Sequence, residues 1–157
     1  MSEYNLEFAE AMAESSALIL RSDSLPDEAQ RAALYTALVA CEVALKYVLS
    51  EAGVSVPKTH DLSRLVNLVS NCSIEREISR GVIKRVPASC VRGIKAADEY
   101  SDATLGKLLE AEELGASKFP NEIRYGHTLT HFPASVMQRA SVRLISWVKT
   151  YAPSVQA

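Results

Sequence analysis

Residues 31–52, RAALYTALVACEVALKYVLSEA, constrain this chain more than any other stretch. Read at helical spacing, Leu34, Leu38, Cys41, Leu45, Val48 and Ala52 form one apolar seam, and Val39, Val43 and Leu49 widen it. Only Arg31, Tyr35, Glu42 and Lys46 remain as a polar stripe. A helix with so little polar surface has to be enclosed by other elements, so it is expected at the centre of a bundle. Its ends are also written locally. Ser24 is a candidate N-cap, Pro26, Asp27 and Glu28 fall in the first turn, and Gly53 supplies the C-terminal stop.

The rest of the chain has elements able to cover such a helix. Leu6, Ala9, Ala13, Ala17 and Leu20 share one face of a first helix over about Glu3–Leu20. Leu62, Leu65, Val66 and Val69 predict a short third helix capped by Thr59 or Asp61. Ser73–Arg85 and Ala88–Glu99 read as a further helical pair separated by Pro87, and Leu105–Leu114 as a shorter helix closed by Gly115. A final helix from about His131 to Tyr151 buries Met137, Ala140, Leu144, Trp147, Val148 and Tyr151. No stretch alternates as a half-buried strand does, and no repeat or long linker divides the chain. The expectation is an all-α fold, an up-and-down helical bundle with additional short helices, in one domain over residues 1–157.

At 157 residues and 48% hydrophobic content, folding buries roughly 70% of the unfolded chain's surface, enough for a core without staples. Cys41, Cys72 and Cys90 are odd in number, widely spaced and form no CxxC pair, which argues against a disulfide framework or zinc knuckle. The N-terminal Glu3, Glu7, Glu10 and Glu14 are unlike a signal peptide, and no run of about 18 apolar residues exists, so a cytoplasmic protein without a membrane partner is expected. The net charge of -2 conceals a polarised distribution. Residues 1–30 hold seven acids against Arg21, whereas residues 76–95 carry Arg76, Arg80, Lys84, Arg85, Arg92 and Lys95 against Glu77. Residues 123–157 carry Arg124, Arg139, Arg143 and Lys149 against no acid. Such patches attract phosphates even on a mildly acidic protein, although solvated helix faces give the same pattern.

Three segments occur in an informative order: CEVALKYVLSEAG on the long helix, KTHDLSRL at the entry to the next, and FPNEIRYG before the last. Together they resemble the HEPN family, the higher eukaryote and prokaryote nucleotide-binding domains, over about Leu25–Tyr151. The resemblance implies a helical bundle that forms a homodimer, with the Arg of the last turn in a cleft at the dimer interface. Many members are metal-independent endoribonucleases marked by Arg, a spacer of four to six residues, then His. Arg124 and His131, separated by six residues, satisfy this, and His127 does not.

The chemistry stands without the family. Cutting RNA with its own 2'-hydroxyl needs a proton acceptor, a proton donor for the leaving oxygen and positive charge on the phosphorane. His131 and Arg124 supply these groups with no metal or other cofactor. With Thr130 as N-cap, His131 would lie in the first turn of the last helix, where backbone amides suit a phosphate. A symmetric dimer would pair two such sets. Around them, Tyr125 is a candidate for base stacking or for core packing, and His127 for ligand contact. His127 and His131 stand four apart, but no Cys or acid nearby offers a third metal ligand. Glu42 and Lys46 are spaced as an exposed helical ion pair, or else Glu42 reaches Arg124 in the cleft. His60 beside Asp61 looks like an active pair, but THDL more simply closes a helix start.

Two positions depart from catalytic members: Tyr125 follows the Arg, and Pro133 comes two residues after His131. Arg-Tyr is typical of members that accompany small nucleotidyltransferases. In one toxin group such a partner modifies a Tyr two residues after the His, where this chain has Pro133. The sequence therefore leads to two expectations. One is a protein that binds RNA or nucleotide near Arg124 and cleaves RNA with His131; the other is a non-catalytic module that dimerises or docks onto a nucleotidyltransferase.

Overall fold

The computed structural model describes residues 4–22, 26–110 and 133–157. Helix α1 (Leu6–Leu20) starts at Asn5, whose side chain accepts from the amides of Glu7 and Phe8. Helix α2 (Pro26–Glu51) is the central rod that the apolar seam requires. Ala33, Leu34, Ala37, Leu38, Ala40, Cys41, Ala44, Leu45, Val48 and Leu49 are all buried on it. Small residues let its neighbour approach closely: Ala9 and Ala13 of α1 are buried, and the Ser16 hydroxyl donates to the Ala33 carbonyl at 2.6 Å. The helix is long and apolar enough to cross a membrane. In this fold α1, α3 and α5 cover its apolar faces.

Gly53 ends α2 as its sequence promised. At φ 78° it occupies the left-handed region, while Val54 N–H donates to Leu49 O and Gly53 N–H to Ser50 O, the paired bonds of a Schellman stop. Helix α3 (Leu62–Ser70) is capped by Asp61, whose carboxylate accepts from Ser63 and Arg64 amides, and it buries the four predicted apolar residues. Helix α5 (Ala134–Tyr151) returns along α2 and α1 with Met137, Ala140, Leu144 and Val148 buried and Trp147 and Tyr151 half-buried. Its first amide, Ala134 N–H, donates to the Gln30 side chain of α2 at 3.0 Å.

The framework is helical, as expected, but residues 73–104 are not. Strands β1 (Ser73–Ser79) and β2 (Val82–Pro87) form an antiparallel hairpin where a helix was expected. A 3-10 turn (Ala88–Gly93) and a second hairpin, β3 (Lys95–Ala97) with β4 (Tyr100–Thr104), replace the next. The deciding signals are β-branched residues Ile74, Ile78, Val82, Ile83 and Val86 around Gly81. Gly81 sits at φ 75°, a conformation that turns the chain and that a continuing helix excludes. The i,i+4 spacing of Arg76, Arg80 and Lys84 imitates a helical stripe, because positions across a short hairpin also recur on one face. Helix α4 (Leu105–Glu110) follows β4, and the rest of the expected Leu105–Leu114 helix lies outside the described residues.

The second hairpin is fastened to α5. Arg139 donates to Glu99, and Arg143 donates to Lys95 O at 3.0 Å and to Asp98 at 3.4 Å. Lys149 pairs with Glu10 of α1. The basic C-terminal segment therefore finds its acids in the tertiary structure. The Arg139 hydrogen bond, with a backbone hydrogen bond, holds the Glu99 carboxyl below its ordinary value. A depressed carboxyl contributes stability above the unfolded value and loses it as pH falls through the folded one. This exposed pair therefore weakens only under acid conditions.

Burial at the middle of α2 pushes the Cys41 thiol up to about 12, and burial also raises Cys72, while Cys90 is half-buried. Thiolate is the reacting form. At about pH 8, a disulfide reagent should label Cys90 quickly in the native protein and Cys41 only after denaturation. Fast labelling of Cys41 in the native protein, followed by peptide mapping, would contradict the packing of α2.

Candidate functional site

Glu42 and Lys46 face the same side of α2 one turn apart, and the Lys46 ammonium donates to Glu42 Oε2 at 3.3 Å. The pair is not the exposed one that spacing alone suggests: the side chains are only 13% and 9% exposed. Chain segment 54–61 returns after Gly53 and brings His60 over them. His60 Nδ1 lies 3.1 Å and 3.2 Å from the two Glu42 carboxylate oxygens. The imidazole is 58% exposed, so this assembly runs from a covered carboxylate to a ring in solvent. Lys46 also lies 5.7 Å from the centre of the Tyr4 ring, a cation–π contact over its inner side.

This geometry has chemical consequences. An ionised Glu42 accepts a hydrogen bond from Nδ1–H, which leaves Nε2 of the neutral ring as a proton acceptor. Among the described residues, none bonds Nε2. Glu42 orients the ring and balances its charge when it is protonated, the role a carboxylate plays behind a catalytic imidazole. Lys46 lies against the same carboxylate, and a charge pair this covered is held by geometry because water does little of the work.

His60 is a candidate that sequence reasoning left packed on the loop of a helix start capped by Thr59 or Asp61. The closure belongs to its neighbours: Thr59 Oγ1 accepts from Asp61 N–H at 3.0 Å, and Asp61 caps α3. His60 instead pairs with Glu42, eighteen residues earlier, rather than with Asp61. The signal that could have found this is the turn at Gly53, which folds the THD segment back along the polar stripe of α2. Arg124, Tyr125, His127 and His131 lie outside the described residues, as does Thr130. The helix that was to begin near His131 begins at Ala134, because Pro133 stands in extended conformation at its N-cap with ψ 158°. Among the described residues no group of three or more His, Cys, Asp or Glu is placed to hold a metal ion.

Two of the three ordered segments thus meet in space. The family model for the HEPN domain matches residues 5–117, more than two thirds of the chain. The chain belongs to the HEPN family. The match contains Glu42, Lys46 and His60 and ends before Arg124. No curated protein and no solved structure matches this HEPN chain. Membership makes it a nucleotide- or RNA-related helical module of a family whose domains commonly dimerise.

The assembly predicts an asymmetric set of stabilities. Glu42→Gln leaves the covered Lys46 charge without its counter-charge and should cost about 1–3 kcal/mol in urea unfolding. Adding Lys46→Met should restore part of that loss, whereas His60→Ala, at an exposed ring, should cost less than about 1 kcal/mol. Additive losses for Glu42 and Lys46 in a double-mutant cycle would show that the two do not interact.

Proposed function

We propose that this HEPN protein binds RNA or a nucleotide by its phosphates at a cleft beside Glu42, Lys46 and His60, with Arg124 as the main phosphate ligand. The single observation behind this is the convergence of Glu42 and His60, brought from two of the three ordered segments to 3.1 Å. The third segment, carrying Arg124, follows in the same order. In this reading Tyr125 and His127 flank the bound strand, and a homodimer places two cleft copies together.

The proposed reaction is transesterification. His131 takes the proton of a 2'-hydroxyl, the oxygen attacks the adjacent phosphorus, and Arg124 balances the charge of the phosphorane. The P–O5' bond breaks, and the leaving oxygen takes a proton from a second imidazole, leaving a 2',3'-cyclic phosphate and a 5'-hydroxyl. His60, held by Glu42 through Nδ1, would fill this role in its protonated form, giving up the Nε2 proton. No cofactor enters this scheme.

A second reading is favoured by one observation: Tyr125 follows Arg124, a pair typical of members that accompany small nucleotidyltransferases. The same fold would then serve as a non-catalytic module that docks onto a nucleotidyltransferase and retains Arg124 for binding.

Cleavage of mixed-sequence RNA in EDTA separates the two. The wild type is expected to leave 2',3'-cyclic phosphate ends, with His131→Ala and Arg124→Ala each reducing the rate by about 100-fold or more. Equal inactivity of folded wild type and variants would remove the nuclease reading and leave the docking module.

A further inference from the structure

The β1–β2 hairpin is built as an arm. Its base is bolted to the C-terminal segment: Ser73 N–H donates to Gln156 O at 2.8 Å, Gln156 N–H returns a bond to Ser73 O at 2.9 Å, and Glu75 N–H donates to Ser154 Oγ at 3.0 Å. Arg85 donates to Ser154 O at 3.1 Å, and Ile74 is fully buried. Beyond that anchor every residue from Glu75 to Arg85 is exposed. A two-stranded ribbon solvated on both faces is marginal by itself, so its base supplies the stability and its outer part has no packing role.

The charges on the arm are unequal in their engagement. Glu75 pairs with Arg85 at 3.5 Å, and the Glu77 carboxylate accepts Gly81 N–H at 3.0 Å, bracing the turn. Among the described residues, no acid pairs with Arg76, Arg80 or Lys84. Arg76 stands directly across from Lys84, an opposition of like charges that costs stability in an isolated sheet. Both lie on the face that carries Ile74 and Val86 at the base, and Arg80 stands at the apex beside Gly81. By contrast, Arg92, Arg139, Arg143 and Lys149 are satisfied by Glu110, Glu99, Asp98 and Glu10.

We propose that this ribbon is a second RNA-contacting element, in which Arg76, Arg80 and Lys84 engage successive phosphates of the strand. The inference rests on the RNA reading of the protein and adds to it a contact remote in sequence from Arg124. Cross-strand neighbours about 5 Å apart and an apex about 10–13 Å further along spread three cations along a polyanion. The arm carries no aromatic residue to stack on bases, so its contribution is independent of RNA sequence. Exposed Ile78, Val82 and Ile83 near the tip would also suit a lipid surface, but the guanidinium of Arg80 at the apex would have to enter the apolar layer first. That ordering favours phosphates in water.

The test uses fluorescence anisotropy with a labelled 2'-O-methyl RNA, which lacks the nucleophile and cannot be cut. Wild type is compared with the folded triple variant Arg76→Gln/Arg80→Gln/Lys84→Gln and with Arg76→Lys/Arg80→Lys/Lys84→Arg over a range of salt. Loss of three phosphate contacts to a single strand should flatten the slope of log affinity against log salt by about 2, and weaken binding at least tenfold at about 0.1 M salt. The charge-conserving variant should follow wild type. An unchanged slope and affinity in the glutamine variant overturns the proposal, as does a loss confined to binding of phosphatidylserine vesicles. Ribbon-dependent binding together with no cleavage of unmodified RNA in EDTA would leave the arm standing and the nuclease site refuted; cleavage of unmodified RNA with an unchanged slope would do the reverse.

Discussion

Burial of nearly the whole circumference of α2 is the constraint on which the rest depends. Its buried residues, from Ala33 to Leu49, cannot be left in water, so α1, α3 and α5 are arranged around them. That enclosure leaves one polar stripe with little freedom. Glu42 and Lys46 are held at the edge of the core because the helix they sit on cannot rotate without exposing its seam. The site's geometry is thus a by-product of hydrophobic packing: the carboxylate is presented, partly desolvated, wherever the helix places it.

The second determinant is the return of the chain after Gly53. The Schellman stop sends residues 54–61 back along α2, and Asp61 then starts α3. Between these two local events His60 has no backbone role, so its side chain is available to Glu42. Two capping motifs, each worth about 1 kcal/mol, therefore position a contact that neither one makes. The same economy appears at α5, where Gln30 of α2 caps the helix start from a distance and Arg139 and Arg143 tie down the β3–β4 hairpin.

The hairpins inserted between α3 and α4 change how the basic sequence is deployed. Within a helix, Arg76, Arg80 and Lys84 would have lain along the body. On a ribbon the same three residues stand on exposed positions, and among the described residues no acid pairs with them. Electrostatics and topology are coupled here: Arg139 and Arg143, on a helix packed on the bundle, meet acids of the β3–β4 hairpin, whereas among the described residues Arg76, Arg80 and Lys84 of the projecting ribbon meet none.

Much was legible in the residues alone. The 3.6-residue periodicity of α1, α2, α3 and α5, the Gly53 stop and a cap at Thr59 or Asp61 follow from local spacing and side-chain chemistry, and the order of three segments carries the HEPN resemblance. What spacing could not decide was residues 73–104, where β-branched residues and an i,i+4 charge pattern coexist in so short a stretch. Pairing between strands is a non-local bond pattern, and only the hairpin register and the bond from Ser73 to Gln156 choose between them. For the site, the sequence determined that Glu42 and Lys46 share a helix face. Tertiary structure alone decided that this face is covered and that His60, eighteen residues away, completes it, because burial and contacts across a chain reversal are set by the packing of the whole bundle.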